Sequence, residues 1–299
     1  MQCAQALECR CRRSTNTKPS TESPPMLRLL LSGLFTMTLL GSATAQSSAP
    51  IDVLFRAMGI PELVVIMRQE GQIYGKELEQ DLFPERGGAR WAAIVDKIYD
   101  ASRMEATVRN RFDSELAAED LAPMIAFFTS ERGQNIVGLE VSARRALLDE
   151  SVEEASRTAL ATMIQERDKR LDLIREFSDA NELVETNVAG AMNANYAFYT
   201  GLATGGAFAE DMTEEDILAD VWNQESGIRD DTEEWLYSYL ALAYQPLADD
   251  DLNAYTAFSK THPGTVLNRA LFAAFDEMFV VVSLALGQGA SQFLTGQEL

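Results

Sequence analysis

Histidine and cysteine are nearly missing from this chain. It holds one histidine, His262, and three cysteines, Cys3, Cys9 and Cys11, all among the first residues. Beyond Cys11 no disulfide can form, so whatever folds there must stand on its hydrophobic core. The same scarcity excludes His-rich zinc sites and Cys–His nucleophile pairs from the rest of the chain. The C-x5-C-x-C spacing has no partner histidine and is weak as a metal motif. There is no G-x-S-x-G elbow, Walker loop or dinucleotide glycine pattern. Runs of alternating β-branched residues are missing as well, which removes the usual signature of a sheet. Neither a metal, a cofactor nor a catalytic residue is assigned.

Positive charge is also scarce. Lys and Arg number 25 against 46 Asp and Glu, for a net charge of −21. The first 45 residues hold five of the basic residues and two of the acidic ones, so the remainder is more acidic still. Such a field repels nucleic acid and anionic lipid headgroups. It excludes nucleic acid as a partner and suits an acidic surface facing solvent.

The first long apolar run begins at Met26. Arg28 supplies a positive n-region, Leu29 to Leu40 an apolar h-region, and Ala43-Thr44-Ala45 a small-residue cleavage site. This is the form of a secretory signal peptide over 26–45, cleaved after Ala45. The run is shorter than the roughly 20 residues of a membrane span. Residues 1–25 precede a complete leader and read as an overextended start. With no cysteine after the h-region there is no lipid-anchor site, and the expected product is periplasmic or secreted, without a stable membrane anchor.

Downstream, nearly every segment follows a helical period. Val141, Leu148, Val152, Ala155, Ala159 and Met163 share one face, as do Leu267, Leu271, Phe275, Met278, Phe279 and Val282. The run Met278 to Leu286 follows Asp276 and Glu277 and reads as buried. The chain also repeats itself. Leu121, Phe127 and Gly133 return as Leu252, Phe258 and Gly264 at a constant offset of 131, and Trp91 and Trp222 share that offset as a paired aromatic anchor. Leu54, Glu62, Leu63 and Val64 pair with Ile174, Glu182, Leu183 and Val184 at an offset of 120. The extra residues of the second copy are placed between Ala207 and Thr232, with helix starts at Thr213 and Asp231. A capping box is expected at Asp179–Glu182, and from Leu139 to Ala189 the chain is expected to stay helical, broken at most around Ser178-Asp179. The expected fold is all-α: two duplicated multi-helix halves, 46–166 and 167–299, packed together with no sheet.

The repeated unit is a helical hairpin. Acids open its first helix at Glu119-Asp120 and Asp250-Asp251, where the helix dipole favours them. Ser130 and Thr261 are N-cap residues for its second helix. A glycine inside a helix costs roughly 1 kcal/mol relative to alanine, so Gly133 and Gly264 point to close backbone approach. The F-x5-G pattern, with its preceding leucine and acidic start, resembles a family of exported bacterial helical proteins known as domain of unknown function number 2059. NELVETNVAGAMNANYAFYTGL, DVWNQE, DTEEWLYSYLALAYQPL and FSKTHPGTVLN look closest to its alphaproteobacterial versions. The resemblance spans about Ile51 to Leu286, with Phe258-Ser259 departing from the usual Phe-Tyr-like pair. It implies an exported helical domain and brings no activity, substrate or catalytic residue.

Chemistry is therefore sought where the copies differ. His262 reads as a surface turn residue. Asp249-Asp250-Asp251 lacks EF-hand spacing and reads as helix capping. Thr186 to Ala209 carries no charge and is rich in small residues. It suits either a central buried helix or a pocket lined by Asn187, Asn193, Tyr196 and Tyr199 and faced by Trp222, Gln224 and Glu225. Three functions follow: a non-catalytic module that binds a protein partner of the cell envelope, a carrier of a small apolar or amphipathic ligand between the halves, and an acid-dependent hydrolase.

Overall fold

Helices follow one another with short breaks in the computed structural model, which describes residues 49–208 and 213–294; every regular element among them is a helix. The leader at 26–45, the residues before it and the three cysteines lie outside the described residues. The helices are α1 (Pro50–Ala57), α2 (Ile60–Leu82), α3 (Gly88–Ile98), α4 (Ala101–Glu115), α5 (Ala122–Phe128), α6 (Glu131–Ala146) and α7 (Glu150–Glu166), followed by α8 (Lys169–Ala180), α9 (Leu183–Thr204), α10 (Glu214–Asn223), α11 (Glu225–Tyr244), α12 (Asp249–Ser259) and α13 (His262–Leu294). The all-α expectation holds.

Side-chain caps set many of the boundaries. Asp100, Ser130, Asp149 and Asp168 each accept a backbone N–H in the first turn of the helix they precede. Thr213 and Asp216 form a reciprocal capping box on α10. Pro50, Pro61 and Pro123 stand in first turns, where the missing N–H costs nothing.

These same devices correct several expectations. The segment from Leu139 to Ala189 is not one helix. It breaks before the Asp149 cap, again at Arg167 with φ 54°, and again at Asn181-Glu182. Lack of glycine and proline does not keep a helix running when an aspartate caps the next one. The capping box read at Asp179–Glu182 does not form: Glu182 is itself left-handed, with φ 51° and no side-chain cap bond. Gly59, φ 64°, takes the same left-handed form before α2, at an offset of 123 from Glu182 and not the 120 read in the sequence. No helix opens at Asp231, because α11 runs through it with Thr232 buried. The Trp pair also fails: Trp91 is buried at 1 % exposure and donates to the Gly75 carbonyl at 2.6 Å, whereas Trp222 is 62 % exposed.

One hydrophobic core runs from Leu54 to Phe293. The 33-residue α13 is its spine, packed on α9, α4 and α3, while α11 packs on α6, α7 and α9. By length and composition α13 could cross a membrane, yet Phe275, Met278 and Leu286 are 1 % exposed and form core contacts. Helices α9 and α13 run parallel, as the order of their contacts shows: Asn181 with Asn268, Asn193 with Asp276, Gly201 with Gly287. A Cβ on Gly201 would lie 2.3 Å from the Leu284 carbonyl oxygen, and one on Gly287 2.1 Å from that of Phe198. Only glycine permits this approach.

Candidate functional site

The two hairpins, α5–α6 and α12–α13, carry the same internal bonds. Ser130 Oγ donates to the Phe127 carbonyl at 2.6 Å and accepts from Gly133 N at 3.0 Å. Thr261 Oγ1 donates to the Phe258 carbonyl at 2.6 Å and accepts from Gly264 N at 3.2 Å. A Cβ on Gly133 or Gly264 would fall 2.2 or 2.1 Å from the carbonyl oxygen of Phe127 or Phe258. The hairpins also meet. Phe127 stacks on Phe258 with ring centroids 4.2 Å apart and planes 14° apart, and Arg132 Nε reaches Asp251 at 2.6 Å. Leu252 is fully buried, and Leu121 is half-buried against the core.

The first hairpin lies in the stretch that matches a known family. Residues 102–162 match the model described as an uncharacterized protein conserved in bacteria (DUF2059). The DUF2059 match therefore runs from α4 to α7 and takes in Leu121, Phe127 and Gly133. The similar-looking blocks of the second half, and with them the alphaproteobacterial type, lie outside it. No curated protein and no solved structure matches the chain.

Where α6 of the DUF2059 stretch meets α2, the seam is closed by buried charge. Arg144 donates through Nε and an Nη to both carboxylate oxygens of Glu70, at 2.6 and 2.7 Å, with Arg144 fully buried. Its guanidinium lies 5.2 Å over the Trp235 ring, which stacks on Tyr239. One turn away, Glu140 accepts from Tyr244 Oη at 2.6 Å, and Tyr239 Oη donates to the Glu140 carbonyl at 3.2 Å. Burial pushes the Glu140 carboxyl up, against the opposing Tyr244 bond, and pushes the Tyr239 and Tyr244 phenols well up. A cavity of about 30 Å³ lies beside Glu140, between Phe128, Phe177 and Phe258. Sequence reasoning missed this cluster, although its signal existed: Glu140 and Arg144 stand at core spacing with Ile136, Val137 and Leu147.

Helices α9 and α13, closest at Gly201 and Gly287, part toward the Asn193 end. A groove of about 440 Å³ runs between them, floored by Ala189, Gly190, Phe272 and Ala273. Asn193, Asn268 and Asp276 supply polar groups, while Asp179, Glu182 and Arg269 complete the charged lining. Asn193 Nδ2 donates to Asp276 Oδ1 at 3.1 Å. Asp276 is half-buried and has no ion-pair partner among the described residues; burial pushes its carboxyl up, with Asn193 and Arg111 opposing.

Of the residues expected to form one pocket, only Asn193 lines this groove. Asn187 is buried and spends its amide on the Leu183 carbonyl one turn back, at 2.7 Å. Tyr196 turns to Glu214 at 2.7 Å, and Tyr199 meets Gln224 at 3.4 Å under α10. Glu225 pairs with Arg229, and Trp222 faces solvent. The expected seven-residue pocket is thus not assembled, because α10 covers the Tyr199 end of α9 and leaves the Asn193 end open. The acids at 249–251 are not side-chain caps; the α12 cap position is Ala248, while Arg170 pairs with Asp249 and Arg132 with Asp251. His262 is 81 % exposed, 3.9 Å from Glu119.

Proposed function

We propose that this protein is a non-catalytic, exported binding module that takes a cationic group of a partner protein into the α9–α13 groove. The observation that carries this reading is Asp276, a half-buried carboxyl in an open groove with one amide bond and no ion pair among the described residues. A buried or half-buried carboxylate gains most from a partner that is both charged and hydrogen-bonding. The lining sets three acids, Asp179, Glu182 and Asp276, against the single base Arg269, and an apolar floor would seat the stem of a lysine or arginine. The groove's size lies in the range of small-ligand sites. Export is supported by the leader pattern at 26–45, and internal duplication by the matching hairpins and the paired breaks at Gly59 and Glu182. A closed ligand carrier has less support, since Tyr199 does not reach the groove.

Titration with three capped tripeptides, differing only in a central Lys, Gln or Glu, tests the reading by amide chemical shifts. The Lys peptide should move Ala189, Asn193 and Ala273, and Asp276→Asn should weaken it about tenfold or more. Equal responses to the Lys and Glu peptides, or shifts confined elsewhere, would refute it.

A further inference from the structure

Helix α10 buries only Ile217 and Val221, against α9 and α11, and turns the rest of its surface outward. On that outer face Leu218 and Trp222 lie one turn apart, 47 % and 62 % exposed. Among the described residues the other large exposed apolar ones, Val65, Ile164 and Val281, stand on three separate helices. Isolated apolar residues need no explanation, but an adjacent Leu–Trp pair on one helical face does. Tryptophan is also the residue most enriched where binding energy concentrates. Around the pair stand Glu214, Glu215, Asp216 and Asp220, and α10 contains no basic residue. Those acids choose among possible occupants. A second copy would set acid against acid, and a membrane of anionic lipid or a nucleic acid would be repelled by the same charges. A cationic amphipathic segment would lay an apolar residue between Leu218 and Trp222 and its lysines or arginines on the acids. We infer that the outer face of α10 is a docking surface for a cationic amphipathic helix of a partner protein. The surface does not depend on the groove, since Asp276 and the groove lining lie on other elements.

The chain reports on this face directly. Of the three tryptophans, Trp91 and Trp235 are 1 % and 3 % exposed, so quencher-accessible emission comes from Trp222. The probe is a designed amphipathic helix of leucine and lysine, added to the full exported chain, with a leucine–glutamate helix of the same pattern as control. The leucine–lysine helix should shift Trp222 emission to the blue and protect it from acrylamide, while the glutamate version does neither. Leu218→Ser should weaken binding about tenfold, the factor expected for losing one buried leucine contact. Asp220→Lys with Glu215→Lys should weaken it further and flatten its salt dependence. Asp276→Asn should leave the Trp222 blue shift and its protection from acrylamide unchanged, whatever it does to lysine in the groove, which separates a failure here from a failure of the groove. Unchanged binding in Leu218→Ser, equal binding of the glutamate helix, or a blue shift with anionic vesicles would each overturn the inference. Leu218 and Trp222 are exposed, so these variants keep the fold, and an unaltered melting temperature verifies it.

Discussion

The α2–α6 seam and the α9–α13 seam are finished in opposite ways. In the first, Glu70 and Arg144 meet in a two-bond ion pair roofed by Trp235. In the second, Asn193 and Asp276 are joined by a single bond in a groove of about 440 Å³ that is lined by further polar residues. Buried and paired polar groups maintain a fold; half-buried and under-paired ones are available to a ligand. The difference separates scaffold from candidate site without any appeal to catalysis.

The sharpest contrast comes from breaking each seam. Arg144→Met leaves the Glu70 carboxylate buried without its partner and should cost about 3–5 kcal/mol, whereas replacing both residues by methionine should recover most of that. Asp276→Asn should change stability by under about 1 kcal/mol, because its partner stays solvated. Chemical denaturation of the four proteins checks this, and similar losses in Arg144→Met and Asp276→Asn would erase the distinction.

Next in size are the hairpin glycines. Gly133→Ala and Gly264→Ala each push a Cβ onto a backbone carbonyl and should cost about 1–3 kcal/mol. If the hairpins are true equivalents the two losses match closely in thermal melts; a large loss in one alone would mean they only look alike.

The closed seam also carries a pH signature. The folded-state pKa of Glu140 is raised above its ordinary value of 4.5 by burial. Its contribution to stability is therefore fully present below about that value and lost as pH rises toward the folded pKa. The slope is at most one proton, about 1.4 kcal/mol per pH unit. Denaturation across this window should show the slope in the natural protein and its loss in Glu140→Gln.

Smallest are the effects at two of the left-handed breaks, Gly59 and Glu182. Glu182→Gly should stabilise by up to about 1 kcal/mol, since an L side chain resists φ 51°. Gly59→Ala should destabilise, having both φ 64° and Val137 and Val141 about 3 Å from the new Cβ. Opposite signs in differential scanning calorimetry support pairing these positions; equal signs break it.

Much of this architecture was readable from residue spacing. The helical period of Leu267, Leu271 and Phe275 and the Ser130 and Thr261 caps are local signals, and the structure bears them out. The groove was readable only at Asn193. Tyr196, Tyr199 and Trp222 share its uncharged neighbourhood in sequence, but where they point depends on how α10 folds over α9, a tertiary choice that no local pattern carries. Asp276 hid for the same reason: within α13 it reads as one acid beside another, and its place at the groove depends on the parallel packing allowed by Gly201 and Gly287.

The groove claim can be put to the molecule in its own compartment. A photo-crosslinking side chain at Ala189, on the groove floor, is compared with one at the exposed Ala126 of the closed hairpin, each with and without Asp276→Asn. A discrete adduct from position 189, missing from position 126 and lost with Asp276→Asn, is the predicted result; the same adducts from both positions, or an adduct indifferent to Asp276, would contradict it.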